Sequence, residues 1–205
     1  MPWADPALFG GDRSLGASEP DAWLLLVLEG MKAREEERYA EAEPLLARAL
    51  REAEQTPSNA DRVATAANNL GLLYHDQGRL VDAQVLYRRA LSIWEQQLGP
   101  EHEDVAAALN NLAEIAQAEG DWETAEPLYE RVLAIERKVL GAAHPDVAIT
   151  LSNLAELYRK QGRETAAESL YHLALILLDD PLGHERQELA PTLNNLAALY
   201  KNRGL

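Results

Sequence analysis

A three-residue string recurs along this chain at a fixed spacing. Asn68-Asn69-Leu70, Asn110-Asn111-Leu112, Ser152-Asn153-Leu154 and Asn194-Asn195-Leu196 follow one another every 42 residues (69, 111, 153, 195). A constant period of this length means one folding unit, copied and stacked on its neighbours, rather than a single centred core. It also sorts scattered residues into columns, each with one structural role repeated.

Within each period the apolar pattern is helical. Ala67, Leu70, Gly71 and Tyr74 fall at i, i+3, i+4 and i+7, one face of a helix. Gly78 breaks it, and Ala83, Leu86, Tyr87, Ala90, Leu91 and Trp94 mark a second helix that stops at Gly99, an expected left-handed cap. The next unit repeats this with Leu109, Leu112, Ala113 and Ala116, a turn at Gly120, then Ala125, Leu128, Tyr129 and Val132 up to Gly141. The third uses Leu151, Leu154, Ala155 and Tyr158, turns at Gly162, and continues through Ala167, Leu170, Tyr171 and Ala174 to Gly183. A fourth first helix carries Leu193, Leu196, Ala197 and Tyr200. The small-residue columns, Gly30-Gly71-Ala113-Ala155-Ala197 and Ala42-Ala83-Ala125-Ala167, predict close approach of the two helices of each hairpin. The larger Leu46-Tyr87-Tyr129-Tyr171 column fills the remaining space.

The expected organisation is a flexible leader over 1–20 and a helical array over 21–205. The array divides into a degenerate first repeat (21–59), repeats at 60–101, 102–143 and 144–185, and a terminal half repeat (186–205). In the degenerate repeat Val27 and Leu28 replace the Asn pair and Glu29 replaces the leucine. A terminal repeat without a neighbour on one side is free to depart in this way. The leader contains Trp3, Leu8 and Phe9, so docking of this segment on the first helices or in a groove is the alternative to a loose tail.

Composition narrows the partners. Asp and Glu number 34 against 19 Lys and Arg, a net charge of −15. This disfavours nucleic acid and anionic membrane surfaces. No cysteine is present, which rules out disulfides and thiolate zinc sites and suits a cytoplasmic location. The longest apolar run, Trp23 to Leu28, is too short to span a bilayer, which needs about 20 residues. The five histidines do not converge: His102 and His144 occupy equivalent loops one repeat apart, where bridging of loops is the expected role. Phosphate-binding loops, HExxH and nucleophile elbows are absent, so neither an enzyme, a metal nor a cofactor is expected.

The spacing Leu-Gly/Ala-x-x-Tyr, then Gly, then Ala-x-x-x-Tyr-x-x-Ala resembles the tetratricopeptide repeat, whose usual length is 34 residues. The extra residues lengthen the second helix and build the connector Leu140-Gly141-Ala142-Ala143-His144-Pro145-Asp146-Val147. This is similar to the 42-residue repeats of kinesin light chains. The resemblance implies an all-α, right-handed superhelical solenoid of antiparallel helix pairs that acts as a protein-binding scaffold. It also implies a concave groove lined by the first helices, where asparagine side chains bond the backbone of a partner's extended peptide.

By that resemblance the groove columns are Thr65, Asn68, Leu72, His75 and Asp76; Ala107, Asn110, Glu114, Gln117 and Ala118; Ile149, Ser152, Glu156, Arg159 and Lys160; and Asn194, Ala198, Lys201 and Asn202. Val27, Met31 and Arg34 extend it as an apolar end. The second column, Asn69, Asn111, Asn153 and Asn195, is expected to hold neighbouring hairpins together. Arg159, Lys160 and Lys201 cluster near the C-terminal end, either to receive an acidic group or as a solvated helix face. Self-assembly, with subunits stacking through the open C-terminal end as a homo-oligomer, is the competing reading.

Overall fold

The computed structural model describes residues 21–55, 59–178 and 189–202. Among these the chain forms nine helices: α1 (Ala22–Glu35), α2 (Tyr39–Glu54), α3 (Ala60–Asp76), α4 (Leu80–Leu98), α5 (Glu103–Glu119), α6 (Trp122–Val139), α7 (Pro145–Lys160), α8 (Glu164–Leu178) and α9 (Leu189–Asn202). Each of α1–α2, α3–α4, α5–α6 and α7–α8 is an antiparallel pair, and α9 packs on α8. The result is an all-helical solenoid. The leader and the loop containing Gly183 lie outside the described residues.

A single device closes each hairpin. The N–H of Arg79, Asp121 and Arg163 donates, at 2.8 Å each, to the carbonyl of Tyr74, Ala116 and Tyr158 respectively. This is the six-to-one bond that ends a helix on a left-handed residue. Gly78, Gly120 and Gly162 supply that residue, with φ of 73°, 77° and 76°. The degenerate repeat makes the same turn, Arg38 to Ala33 at 2.8 Å, but places Glu37 there at φ 56°. Gly99 differs from its expected role. Its φ of 88° comes with ψ of 164°, an extended glycine-only conformation that redirects the chain rather than a left-handed helical cap.

The two small-residue columns meet inside each hairpin. Ala42, Ala83, Ala125 and Ala167 are fully buried, as are Tyr87 and Tyr171 beside them. The approach is equally tight at both glycines of the column, since a Cβ would lie 2.7 Å from Leu46 Cδ2 at Gly30 and 2.7 Å from Tyr87 Cε1 at Gly71. Between hairpins a further column, Leu73, Ile115, Leu157 and Leu199, is also fully buried. Each such side chain contributes about 1.5–3 kcal/mol by leaving water. At the first hairpin the equivalent residue is Lys32, which is exposed because no unit precedes it among the described residues.

Candidate interaction surface

The first helices lie side by side and are cross-linked by side chains. Asn111 Nδ2 donates to Asn68 Oδ1 at 3.0 Å, joining α5 to α3, and Asn153 Nδ2 donates to Asn110 Oδ1 at 3.4 Å, joining α7 to α5. The following step from α7 to α9 uses Ser152 and Thr192, hydroxyl to hydroxyl at 2.8 Å. Arg34 Nε bonds Asp76 at 2.7 Å and ties α1 to α3. The second helices form a parallel layer, tied by Arg89 to Glu54 at 2.5 Å and by Arg131 to Glu95 at 2.6 Å.

One side of the first-helix layer carries the columns named from the sequence. Thr65, Asn68, Leu72, His75, Asn110, Glu114, Gln117, Glu156 and Arg159 are half-buried, while Asp76, Ala107, Ala118, Ile149, Lys160, Asn194, Ala198 and Lys201 are exposed. Two residues depart from this pattern. Ser152 is buried, because its side chain is too short to reach the surface and turns to Thr192 instead. Val27 is buried as well, leaving Met31 and Arg34 at that end. Asn202 lies in α9, but its side chain is outside the described residues.

The amides of this surface are partly engaged. Asn110 accepts from Asn153 and donates to Glu114 Oε1 at 2.8 Å, so its role is internal as much as outward. Among the described residues, Asn68 makes no side-chain hydrogen bond beyond the one it accepts from Asn111. Asn194 is exposed, with no side-chain bond among the described residues. Glu156 is held on both oxygens by Arg159 at 2.7 Å and receives the Tyr171 hydroxyl at 2.9 Å. Burial raises its pKa, but these donors outweigh burial and leave the carboxyl below its usual range.

Several features escaped sequence reasoning. His102 and His144 do not bridge loops. Each Nδ1 accepts the N–H two residues on, from Asp104 and Asp146, both at 3.2 Å, and so caps the following helix. The cap requires the tautomer with hydrogen on Nε2. Tyr74 and Tyr158 each join an inter-repeat cluster: Arg79 stacks 3.7 Å from the Tyr74 ring and bonds Glu43 at 3.0 Å, while Arg163 stacks 3.6 Å from Tyr158 and bonds Glu126 at 2.8 Å. A cavity of about 130 Å³ opens between α5, α6 and α7, lined by Glu103, Ala107, Ile135, Glu136, Val139 and Asp146, so that it reaches this surface at Ala107. Glu136 stands one period after Trp94, which is buried and donates its Nε1–H to Asp61 at 3.2 Å. Among the described residues, His, Asp and Glu nowhere gather in a group of three or more that would hold a metal ion.

The sequence profile of the tetratricopeptide repeat matches residues 25–96, 62–135 and 104–178. These overlapping spans run across most of the solenoid. The chain belongs to the tetratricopeptide repeat family. Among solved structures, this tetratricopeptide repeat protein is similar to BtubC (BKLC) from P. vanneervenii, with 27% identity over 87% of this chain and 72% of that one and a TM-score of 0.77. It also shares its fold with a putative kinesin light chain of Podospora anserina with nearly identical repeats, at 23% identity over 91% and 89% of the two chains and a TM-score of 0.74. A variant of the latter gives 22% identity and the same TM-score. No curated protein matches the sequence. Tetratricopeptide repeats form a non-catalytic scaffold for protein–protein interaction. Among the described residues, no helix is long and apolar enough to cross a membrane.

Proposed function

We propose that this tetratricopeptide repeat protein captures an extended segment of a partner protein along the outward side of α3, α5, α7 and α9. One observation carries this reading: half-buried polar side chains share one side of the adjacent helices α3, α5 and α7, braced by the bonds Asn68–Asn111 and Asn110–Asn153. Bracing fixes the amides before a ligand arrives, which lowers the ordering cost of binding. Asn68 and Asn194 present donors and acceptors to a peptide backbone, Leu72 and Ile149 present apolar area, and Lys160 and Lys201 carry positive charge at the C-terminal end. The net charge of −15 argues against nucleic acid or an anionic membrane as the partner, and the cysteine-free sequence suits the cytoplasm. A peptide array probed with the protein tests this. Asn194→Ala and Asn68→Ala should weaken captured peptides several-fold, and undiminished binding by both variants would count against this surface.

A second reading has its own observation. On α9, Ala190, Leu193 and Ala197 are exposed, whereas their counterparts Ala148, Leu151 and Ala155 are buried by α8. A helix of a second copy laid on this face would give a homo-oligomer. Sedimentation equilibrium over a wide concentration range decides it: a strict monomer discards self-assembly and leaves peptide capture standing.

A further inference from the structure

The repeats solve the same electrostatic problem differently, and the difference specifies what the central repeat is missing. Glu114 of α5 and Glu156 of α7 occupy one column. At Glu156 the chain supplies its own cation, since Arg159 holds both carboxylate oxygens at 2.7 Å and Lys160 stands 3.9 Å away. The residue equivalent to Arg159 beside Glu114 is Gln117, and its Oε1 is buried without a hydrogen-bond partner. Among the described residues, Glu114 has no ion pair, and its hydrogen bond is the one from Asn110. Asp76, the other carboxylate nearby on this surface, is already neutralised by Arg34.

A second buried atom is orphaned as well. Tyr87 is fully buried in the preceding hairpin and its hydroxyl has no partner; its column mate Tyr171 donates to Glu156, but the residue in the place of Glu156 in the Tyr87 hairpin is Leu72. Tyr87 packs against Leu72, Leu112 and Ile115, facing the α3–α5 joint. Its phenol is pushed up by burial and then by the charges of Glu114 and Asp76, with the Arg34 charge acting against them. The central repeat thus has a half-buried carboxylate and, three residues on, an orphan amide oxygen where the next repeat has a guanidinium. Leaving such groups unpaired costs free energy that a suitable donor recovers.

Building on the peptide-capture reading, we infer that Glu114 receives the side chain of one Arg or Lys in the partner segment, which takes the place Arg159 occupies one repeat later. The ligand class is thus an extended peptide with a basic residue centred over α5. A guanidinium satisfies the carboxylate and the Gln117 oxygen together, so Arg is preferred over Lys.

The test is selection of random-sequence displayed peptides on the full chain. Peptides recovered on the native protein should share a basic residue at one register. Glu114→Gln should bind them about tenfold more weakly and should no longer select a basic residue. Gln117→Arg, which copies the internal arrangement of α7, should also reject these peptides while its helical signal and melting temperature stay at or above the native values. Peptides that depend on Asn68 and Asn194 but show no basic preference would overturn the assignment of Glu114 and leave peptide capture intact. Recovery of no peptide sensitive to any of these residues would overturn both.

Discussion

The Thr150 hydroxyl of α7 donates to the Glu136 carboxyl of α6 at 2.7 Å, across the joint between two hairpins. Burial beside the α5–α6–α7 cavity raises the pKa of Glu136 to about 7, with the Thr150 bond lowering it somewhat and the charge of Asp146 adding to the rise. In the unfolded chain a glutamate titrates near 4.3, so the stability tied to this group is fully present below about 4.3 and is lost as pH rises toward 7. Glu136→Gln keeps an acceptor for Thr150 and cannot ionise. Its melting temperature should match the native protein near pH 4 and exceed it at pH 8. Parallel melting curves across that range would show that Glu136 is not the titrating group.

Glu37 holds the left-handed turn position that glycine holds in the next three hairpins. A side chain in this conformation costs about 1–2 kcal/mol, part of which glycine returns through its looser unfolded state. Glu37→Gly should therefore stabilise the protein by about 0.5–1 kcal/mol in urea unfolding. A destabilised variant would mean that the Glu37 side chain contributes something its exposed position does not suggest.

Gly71→Ala sets two effects against each other. Alanine improves helix propensity by about 1 kcal/mol, while overpacking in a tight core costs about 1–3 kcal/mol. The new Cβ would sit 2.7 Å from a ring carbon of Tyr87, which is fully buried and cannot swing away. Net destabilisation is expected, with a lowered denaturation midpoint. A rise in that midpoint would mean that the α3–α4 hairpin opens readily.

Asn111→Ala removes the donor to Asn68 and should cost about 1 kcal/mol while leaving the outward face of Asn68 unobstructed. Calorimetry gives the stability change. Peptide affinity should fall because Asn68 is no longer braced, and an unchanged affinity would separate the ladder from binding.

The period made the helix pairs, the small-residue columns and the inter-hairpin role of Asn111 and Asn153 legible, because each rests on residues that repeat and on local helix geometry. What the sequence concealed depends on departures from the period. Ser152 shares a column with Asn110, yet a shorter side chain turned it inward to Thr192. The histidines looked like loop bridges because a capping bond joins neighbours two residues apart and leaves no long-range trace. The Tyr–Arg–Glu clusters skip a repeat: Ala116, Asp121 and Gln84 stand where Tyr158, Arg163 and Glu126 stand one period on, so no column announces them. The bond from Asn110 to Glu114 leaves no mark in the sequence, since a spacing of four residues along a helix permits it without requiring it.

Trp94 and Glu136 occupy the same column, an indole at one joint and an ionisable carboxyl at the next. As pH rises toward 7 the charge gained by Glu136 weakens the joint between α6 and α7, whereas the Trp94 position is indifferent to pH. An array copied from the hairpin that contains the tryptophan should therefore tolerate alkaline buffer better than one copied from the hairpin that contains the glutamate.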